Sequence, residues 1–184
     1  DDLLSPIMAR IVDSLADVPA MVWTNLGEVL VQTPPAVAMF GDWTRFTGLS
    51  RYLVYRYFTD PAPRELYPPE DRYKRGRVFF TSDLRVEYRK DPDGVPGEIV
   101  AALLAVSPEF AEVWARHEVD VAHHHDLKRY RLGELGELEL YAQPLVDLDK
   151  DQYLMVFTAV PGSPSDEKLQ HLSASLIQGR PLPG

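Results

Sequence analysis

Apolar positions recur at helical steps in the first segment, Ser5 to Ala16, where Ile7, Ile11, Val12 and Leu15 follow a Ser-Pro start. Serine suits an N-cap and proline the first helical position, so the spacing predicts a helix with that stripe inward. Ala20 to Trp23 and Glu28 to Val31 read as two short strands around Asn25-Leu26-Gly27, a tight turn whose glycine can take positive φ. Pro34-Pro35 stops the second strand and opens a short helix over Ala36 to Phe40, ended by Gly41. An aromatic stretch follows, from Trp43 and Phe46 through Tyr52, Tyr55, Tyr57 and Phe58, and Asp60-Pro61-Ala62-Pro63 breaks it.

The longest predicted helix runs from about Pro69 to Arg89, with Tyr73, Arg77, Phe80, Leu84 and Tyr88 at steps of three and four on its inner face. Asp91-Pro92-Asp93-Gly94 is a turn, and Ile99, Val100, Leu103 and Leu104 mark another helix. Ser107-Pro108-Glu109 starts the next one, whose apolar stripe reads Phe110, Val113, Trp114 and His117. After residue 118 the period changes from 3.6 to 2. Glu118 to Val121 and Lys128 to Leu132 each predict a strand. In Glu137 to Val146, Leu138, Leu140 and Ala142 alternate with Glu137, Glu139 and Tyr141, as in a half-solvated strand. Tyr153 to Val160 is apolar on both faces and belongs at the centre of a sheet. A last helix over about Ser165 to Ile177 follows Pro161-Gly162-Ser163. Two strands, a block of helices and then mostly antiparallel strands predict an α+β fold with helices on one side of the sheet.

Composition narrows the classes. The 184 residues suit one domain over 1–184, and 45% hydrophobic with 26% charged residues is an ordinary globular mixture. The absence of cysteine removes disulfide scaffolds, thiolate zinc sites and cysteine nucleophiles, and fits a reducing cytoplasm. A net charge of −9 is a poor match to a phosphate backbone. No run approaches the ~18 apolar residues of a membrane span.

Candidate chemistry is sparse. In His123-His124-His125-Asp126 three consecutive imidazoles cannot converge on one ion within a regular strand, because neighbours alternate faces, so a solvated loop is favoured over a metal site. His117 ends an apolar stripe and reads as a core or boundary residue before it reads as a base. Nothing assembles a nucleophile, a base and an orienting group, and no phosphate-binding or dinucleotide motif occurs, so an enzyme is not expected and no cofactor is implied. Residues 51–77 are more informative, holding seven Lys+Arg against four Asp+Glu in an otherwise acidic chain. Tyr52, Tyr55 and Arg56 fall within one helical turn, and phenols beside a guanidinium suit a carboxylate or phosphate. The same residues also fit as a rim to the core, their tips in water.

Several segments together resemble the MmyB-like ligand-binding domain, which lies behind an N-terminal helix-turn-helix in bacterial transcription regulators. Tyr55-Arg56-Tyr57-Phe58-Thr59-Asp60-Pro61 with Arg64-Glu65-Leu66-Tyr67-Pro68 is similar to its "YRWFTDP…R..YP" block. Ser107-Pro108-Glu109-Phe110 with Trp114-Ala115-Arg116-His117-Glu118-Val119 is similar to its "SPEF..LW.RHEV" signature. Gly136-Glu137-Leu138-Glu139-Leu140 and Thr158-Ala159-Val160-Pro161-Gly162-Ser163 occupy the places of its "G.l.L" and "TA.PGS" strands, and Val18-Pro19-Ala20 and Glu28-Val29-Leu30 those of its opening helix and hairpin. Leu132-Gly133 stands where the family often has His-Pro, and Thr33 where it often has Asn after the hairpin.

The resemblance implies a PAS-like fold, an antiparallel sheet wrapped by helices around an internal apolar pocket, and a sensing role with fatty acids as the ligand class. The headgroup would fall to Arg56, Tyr52 and Tyr55, and the chain to Phe40, Phe46, Phe58, Phe80, Leu84, Leu103, Phe110 and Trp114, each equally credible as plain core. On this reading DNA is a partner only through a separate domain, a homodimer is possible, and the rival role is a ligand-free dimerisation or interaction module.

Overall fold

A computed structural model describes residues 3–117 and 126–178, less the side chains of 77–79. Among these residues the order is α1 (Pro6–Ser14), β1 (Ala20–Thr24), β2 (Val29–Gln32), α2 (Pro34–Phe40), α3 (Leu53–Thr59), α4 (Pro61–Glu65), α5 (Pro69–Arg75), α6 (Ser82–Lys90), α7 (Val95–Val106), α8 (Pro108–Ala115), β3 (Lys128–Arg131), β4 (Glu137–Asp147), β5 (Gln152–Thr158) and α9 (Pro164–Ile177). The fold is α+β, with one five-stranded antiparallel sheet ordered β2-β1-β5-β4-β3, consistent with the PAS-like architecture expected from the resemblance. The predicted strand at Glu118 to Val121 and the triple histidine His123 to His125 lie outside the described residues. No helix among the described residues is long and apolar enough to cross a membrane.

The chain divides into two compact units. The sheet unit holds residues 3–24, 29–45 and 126–178 of those described; the helical unit holds 25–28 and 46–117.

In the sheet unit β5 is the central strand, paired on one side with β1 and on the other with β4, as its apolar character predicts. Along β4 the alternation holds: Leu138, Leu140 and Ala142 are buried while Glu137, Glu139 and Tyr141 are exposed. Met8 and Val12 of α1 pack on Ala20, Val22 and Leu154, with Leu15 and Val156 beside them. Val12 and Leu15 face inward as expected, but Ile7 and Ile11 are 67% and 43% exposed, because Met8 takes the buried phase and leaves them on the outer side. Phe157 and Leu154 point to opposite faces of β5, and Phe40 packs on Phe157 in a tilted pair with ring centroids 4.9 Å apart. Helices therefore cover both faces of this sheet, which corrects the one-sided arrangement expected from the order of elements.

Thr33 is the N-cap residue of α2 but makes no side-chain capping bond. Its hydroxyl instead accepts from Ala20 N–H at 2.9 Å and donates to the Val18 carbonyl at 2.6 Å, fastening the start of β1. At the other end of the unit Ser163 caps α9, accepting from Asp166 N–H, with Pro164 in the first turn.

The helical unit takes in the β1–β2 turn, where Gly27 has a φ of 81° and its carbonyl accepts Leu53 N–H at 3.0 Å. A Cβ at Gly27 would sit 2.8 Å from Leu53 Cβ, so the residue is glycine for conformation and for space. Ser107 caps α8 as predicted, accepting from Phe110 N–H at 3.1 Å. That helix ends at Ala115, so His117 does not complete its apolar stripe. It is exposed, with a left-handed φ of 51°.

The segment from Pro69 onward is helical to Lys90 as expected, but a π-turn over Gly76–Thr81 interrupts it. A π-turn spends an extra residue and rotates what precedes it by about one residue's 100°. Phe80 and Leu84 are consequently buried, whereas Tyr73 leaves the stripe, is 42% exposed and accepts a hydrogen bond from Arg116 at 2.9 Å. Thr81 Oγ1 donates to the Gly76 carbonyl at 2.9 Å across the turn.

Gly76 has ordinary helical angles, and its role is space: a Cβ there would lie 2.8 Å from Tyr57 Cε1. Gly76→Ala is expected to destabilise the protein by about 1–3 kcal/mol despite alanine's better helix propensity. Urea denaturation should show a lower midpoint; an unchanged or higher one would mean that the contact does not constrain the fold.

Candidate functional site

The helical unit is built on rings. Tyr57 is fully buried, with its centroid 4.5 Å from Phe80, 5.4 Å from Phe58 and 6.4 Å from Tyr67. Phe58 meets Phe110 edge-on at 5.3 Å, Phe110 stacks on Trp114 at 5.4 Å, and Tyr88 closes the series on Trp114 at 5.5 Å. Offset and edge-to-face pairs of this kind add about 0.5–1.5 kcal/mol each beyond burial. Leu84 and Leu103 have no exposed surface. Of the eleven residues proposed from sequence, ten belong to this unit, and four of them (Phe58, Phe80, Phe110 and Trp114) are members of the ring series. Phe40 belongs to the sheet unit, where it packs on Phe157, Tyr130 and Trp43.

Arginines lie across these rings. Arg56 is 2% exposed; its guanidinium carbon is 3.9 Å from the Phe46 centroid and its Nη1 donates to the Ser50 carbonyl at 2.5 Å. Tyr52 stands at the N-terminus of the same helix, half-buried, and burial pushes its phenol above the ordinary range, aided by the nearby Glu28 carboxylate. Tyr55, one residue before Arg56, is half-buried, and its carbonyl accepts from Thr59 Oγ1. Of these four candidates, Arg56 and Phe46 are in direct contact, and Tyr52 lies one helical turn before Arg56.

Other residues hold the unit together that were not among the ligand-binding candidates drawn from sequence. Arg64 makes a bidentate pair with Glu109, Nη1 to Oε2 at 2.5 Å and Nη2 to Oε1 at 2.9 Å, and lies 5.4 Å from the Tyr57 ring centroid. Arg85 is nearly buried, 4.2 Å over the Trp114 ring, with Nη2 donating to the Trp114 carbonyl and Nη1 3.1 Å from His117 Nδ1. An arginine can only donate, so His117 Nδ1 accepts there. Burial lowers the Arg85 pKa, as does its neighbour Arg89. The described parts of the two motif blocks, Tyr55 to Pro68 and Ser107 to His117, are therefore joined through Arg64–Glu109 and Phe58–Phe110. Their presence in recognisable motifs is the signal that sequence offered; the pairing itself is not.

An open cleft of about 380 Å³ is lined by Phe58, Thr59, Asp60, Pro61, Arg64, Glu65 and Arg72. Arg72 Nε donates to the carbonyls of Arg64 and Tyr67 at 3.0 and 3.1 Å, and its own carbonyl accepts the Tyr57 hydroxyl. Asp60 Oδ1 accepts Ala62 N–H and caps α4. No group of three or more potential metal ligands is gathered among the described residues.

The family model of the MmyB-like transcription regulator ligand binding domain matches residues 4–172, and the chain belongs to that family. The family is a ligand-binding domain of transcription regulators and not a family of enzymes. No curated protein matches the chain.

Two outcomes follow from the ring series and its pairs. Burial, above all, raises the Tyr57 phenol well beyond its ordinary range, so the folded state holds that proton more tightly than the unfolded chain. Its contribution to stability is full below the ordinary phenol pKa of about 10 and is lost as pH rises above that value. Urea midpoints should fall between about pH 8 and pH 11, and Tyr57→Phe should fall less over that interval while losing about 1 kcal/mol at neutral pH. For Arg64 and Glu109, each about a third exposed, a double-mutant cycle with Arg64→Gln and Glu109→Gln should give a coupling of about 1 kcal/mol. A value near zero would remove the pair from the forces that join α4 to α8.

Proposed function

We propose that this chain is the effector-sensing domain of a bacterial helix-turn-helix regulator, binding a fatty acid or similar amphipathic acid and thereby altering DNA binding by a separate domain of the parent protein in the cytoplasm. The match to a regulator's ligand-binding domain over residues 4–172 carries the reading. The composition of the helical unit supports it, because an amphipathic acid needs apolar surface for its tail and a cation or donor for its head. A tail of about a dozen methylenes gains roughly 0.8 kcal/mol each on leaving water, of which ordering and immobilisation remove a large share. A buried carboxylate without a partner is costly, so the head belongs beside Arg56, with Tyr52 and Tyr55 as donors. Phe46, against which Arg56 lies, is where head and tail would meet. The ligand acts on DNA binding only if it prefers one arrangement of the parent regulator over another.

Ligand-free dimerisation is the second reading, and the outer side of α1 favours it, with Ile7 and Ile11 exposed at 67% and 43% one helical turn apart. Native mass spectrometry followed by organic extraction separates the two. Sensing predicts a copurifying acid of a few hundred daltons, with binding of added dodecanoate to the stripped protein weakened about tenfold by Tyr52→Phe. A clean apo mass, a stable dimer and no dodecanoate binding would support the second reading instead.

A further inference from the structure

The cleft between α3, α4 and α5 contains opposite charges that do not pair. Arg72, Asp60 and Glu65 all line it, yet neither carboxylate forms an ion pair with the guanidinium among the described residues. Each is held or left where it stands by something else. Arg72 is anchored through Nε to the carbonyls of Arg64 and Tyr67, which leaves Nη1 and Nη2 with no partner among the described residues. Asp60 is tied through Oδ1 to the start of α4, leaving Oδ2 without one, and the Glu65 carboxylate is likewise unengaged. Arg64, the other cation of the lining, is already spent on Glu109. What remains is one fixed fork of donors, two acceptors, and the apolar surfaces of Phe58 and Pro61.

A simple anion would meet Arg72 but also two carboxylates, and a simple cation would leave the guanidinium fork unused. A small molecule carrying both charges satisfies all three groups at once. We propose that this cleft binds a zwitterion of the amino-acid type, with its carboxylate on Arg72 Nη1 and Nη2, its ammonium on Asp60 and Glu65, and an apolar side chain against Phe58 and Pro61. Its volume of about 380 Å³ admits such a molecule. The site is distinct from the headgroup position around Arg56: of the residues proposed there, Phe58 alone also lines the cleft.

Isothermal titration calorimetry of the intact domain with L-leucine tests the assignment, alongside 3-methylbutylamine and 4-methylpentanoate, which lack its carboxylate and its ammonium respectively. Leucine should bind saturably in the millimolar range or tighter, and each analogue at least about tenfold more weakly. Glu65→Gln, an exposed change that disturbs no contact of the fold, should weaken leucine about tenfold, and Arg72→Lys should do the same by replacing a fork with a point charge. Equal binding of leucine and either analogue, no saturable heat from leucine, or leucine affinity unchanged in Glu65→Gln would each overturn the proposal. Dodecanoate binding should be unaltered in Glu65→Gln, so failure here leaves the fatty-acid reading to its own test.

Discussion

A phenol with no exposed surface must place its hydroxyl on an acceptor, and at Tyr57 that acceptor is the Arg72 carbonyl on the opposite helix. The requirement sets the separation between α3 and the long segment that starts at Pro69. Their approach is close enough that position 76 has no room for a side chain, and the Tyr57 ring then reaches Phe80 across the π-turn. Over the same ring lies Arg64, whose guanidinium turns to Glu109 and ties α4 to the start of α8. One buried aromatic residue thus positions elements from four parts of the chain.

The arginines extend this logic. The protein is acidic overall, yet guanidiniums lie over Phe46, Tyr57, Tyr67 and Trp114 in its helical unit. A planar, weakly hydrated cation can be taken off water against a ring face at lower cost than an ammonium, and its fork still finds carbonyls and carboxylates in plane. The result is an interior that is apolar in surface but carries positive charge at defined points.

The motif residues have two kinds of role. Ser107, Glu109, Phe110, Tyr57 and Arg64 secure helices to one another. Asp60 and Glu65, with Arg72 just beyond the motif, line an open cleft instead. A motif recognised in sequence therefore does not separate the residues that build the frame from those left lining the cleft. The difference lies in which atoms are already engaged by the fold: Arg64 has both terminal nitrogens on Glu109, whereas among the described residues Arg72 has only Nε in use.

Local signals carried much of the architecture. The Ser-Pro starts of α1 and α8, the alternation of β4, the doubly apolar β5 and the turn glycine at 27 act within a few residues, through proline's fixed φ, the Ser107 cap of α8, strand pleat and allowed φ, and their elements appear near the expected places, although Ser5 makes no capping bond to α1. What the sequence could not decide were matters of phase and partnership. Tyr73 was expected inward and lies outward because the π-turn shifts the helix, and that turn is packed against a residue elsewhere in the chain. Ile7 and Ile11 yielded the buried side to Met8, and helices cover both faces of the sheet. Arg64 meets Glu109 across 45 residues, beyond the reach of any periodicity. Periodicity and capping are properties of neighbours along the backbone, so the amino-acid order alone placed many of the elements, though not α3, α4 or the π-turn. Which side chains are buried, paired or left facing a cleft depends on surfaces brought together from distant segments, and only the tertiary structure decided that.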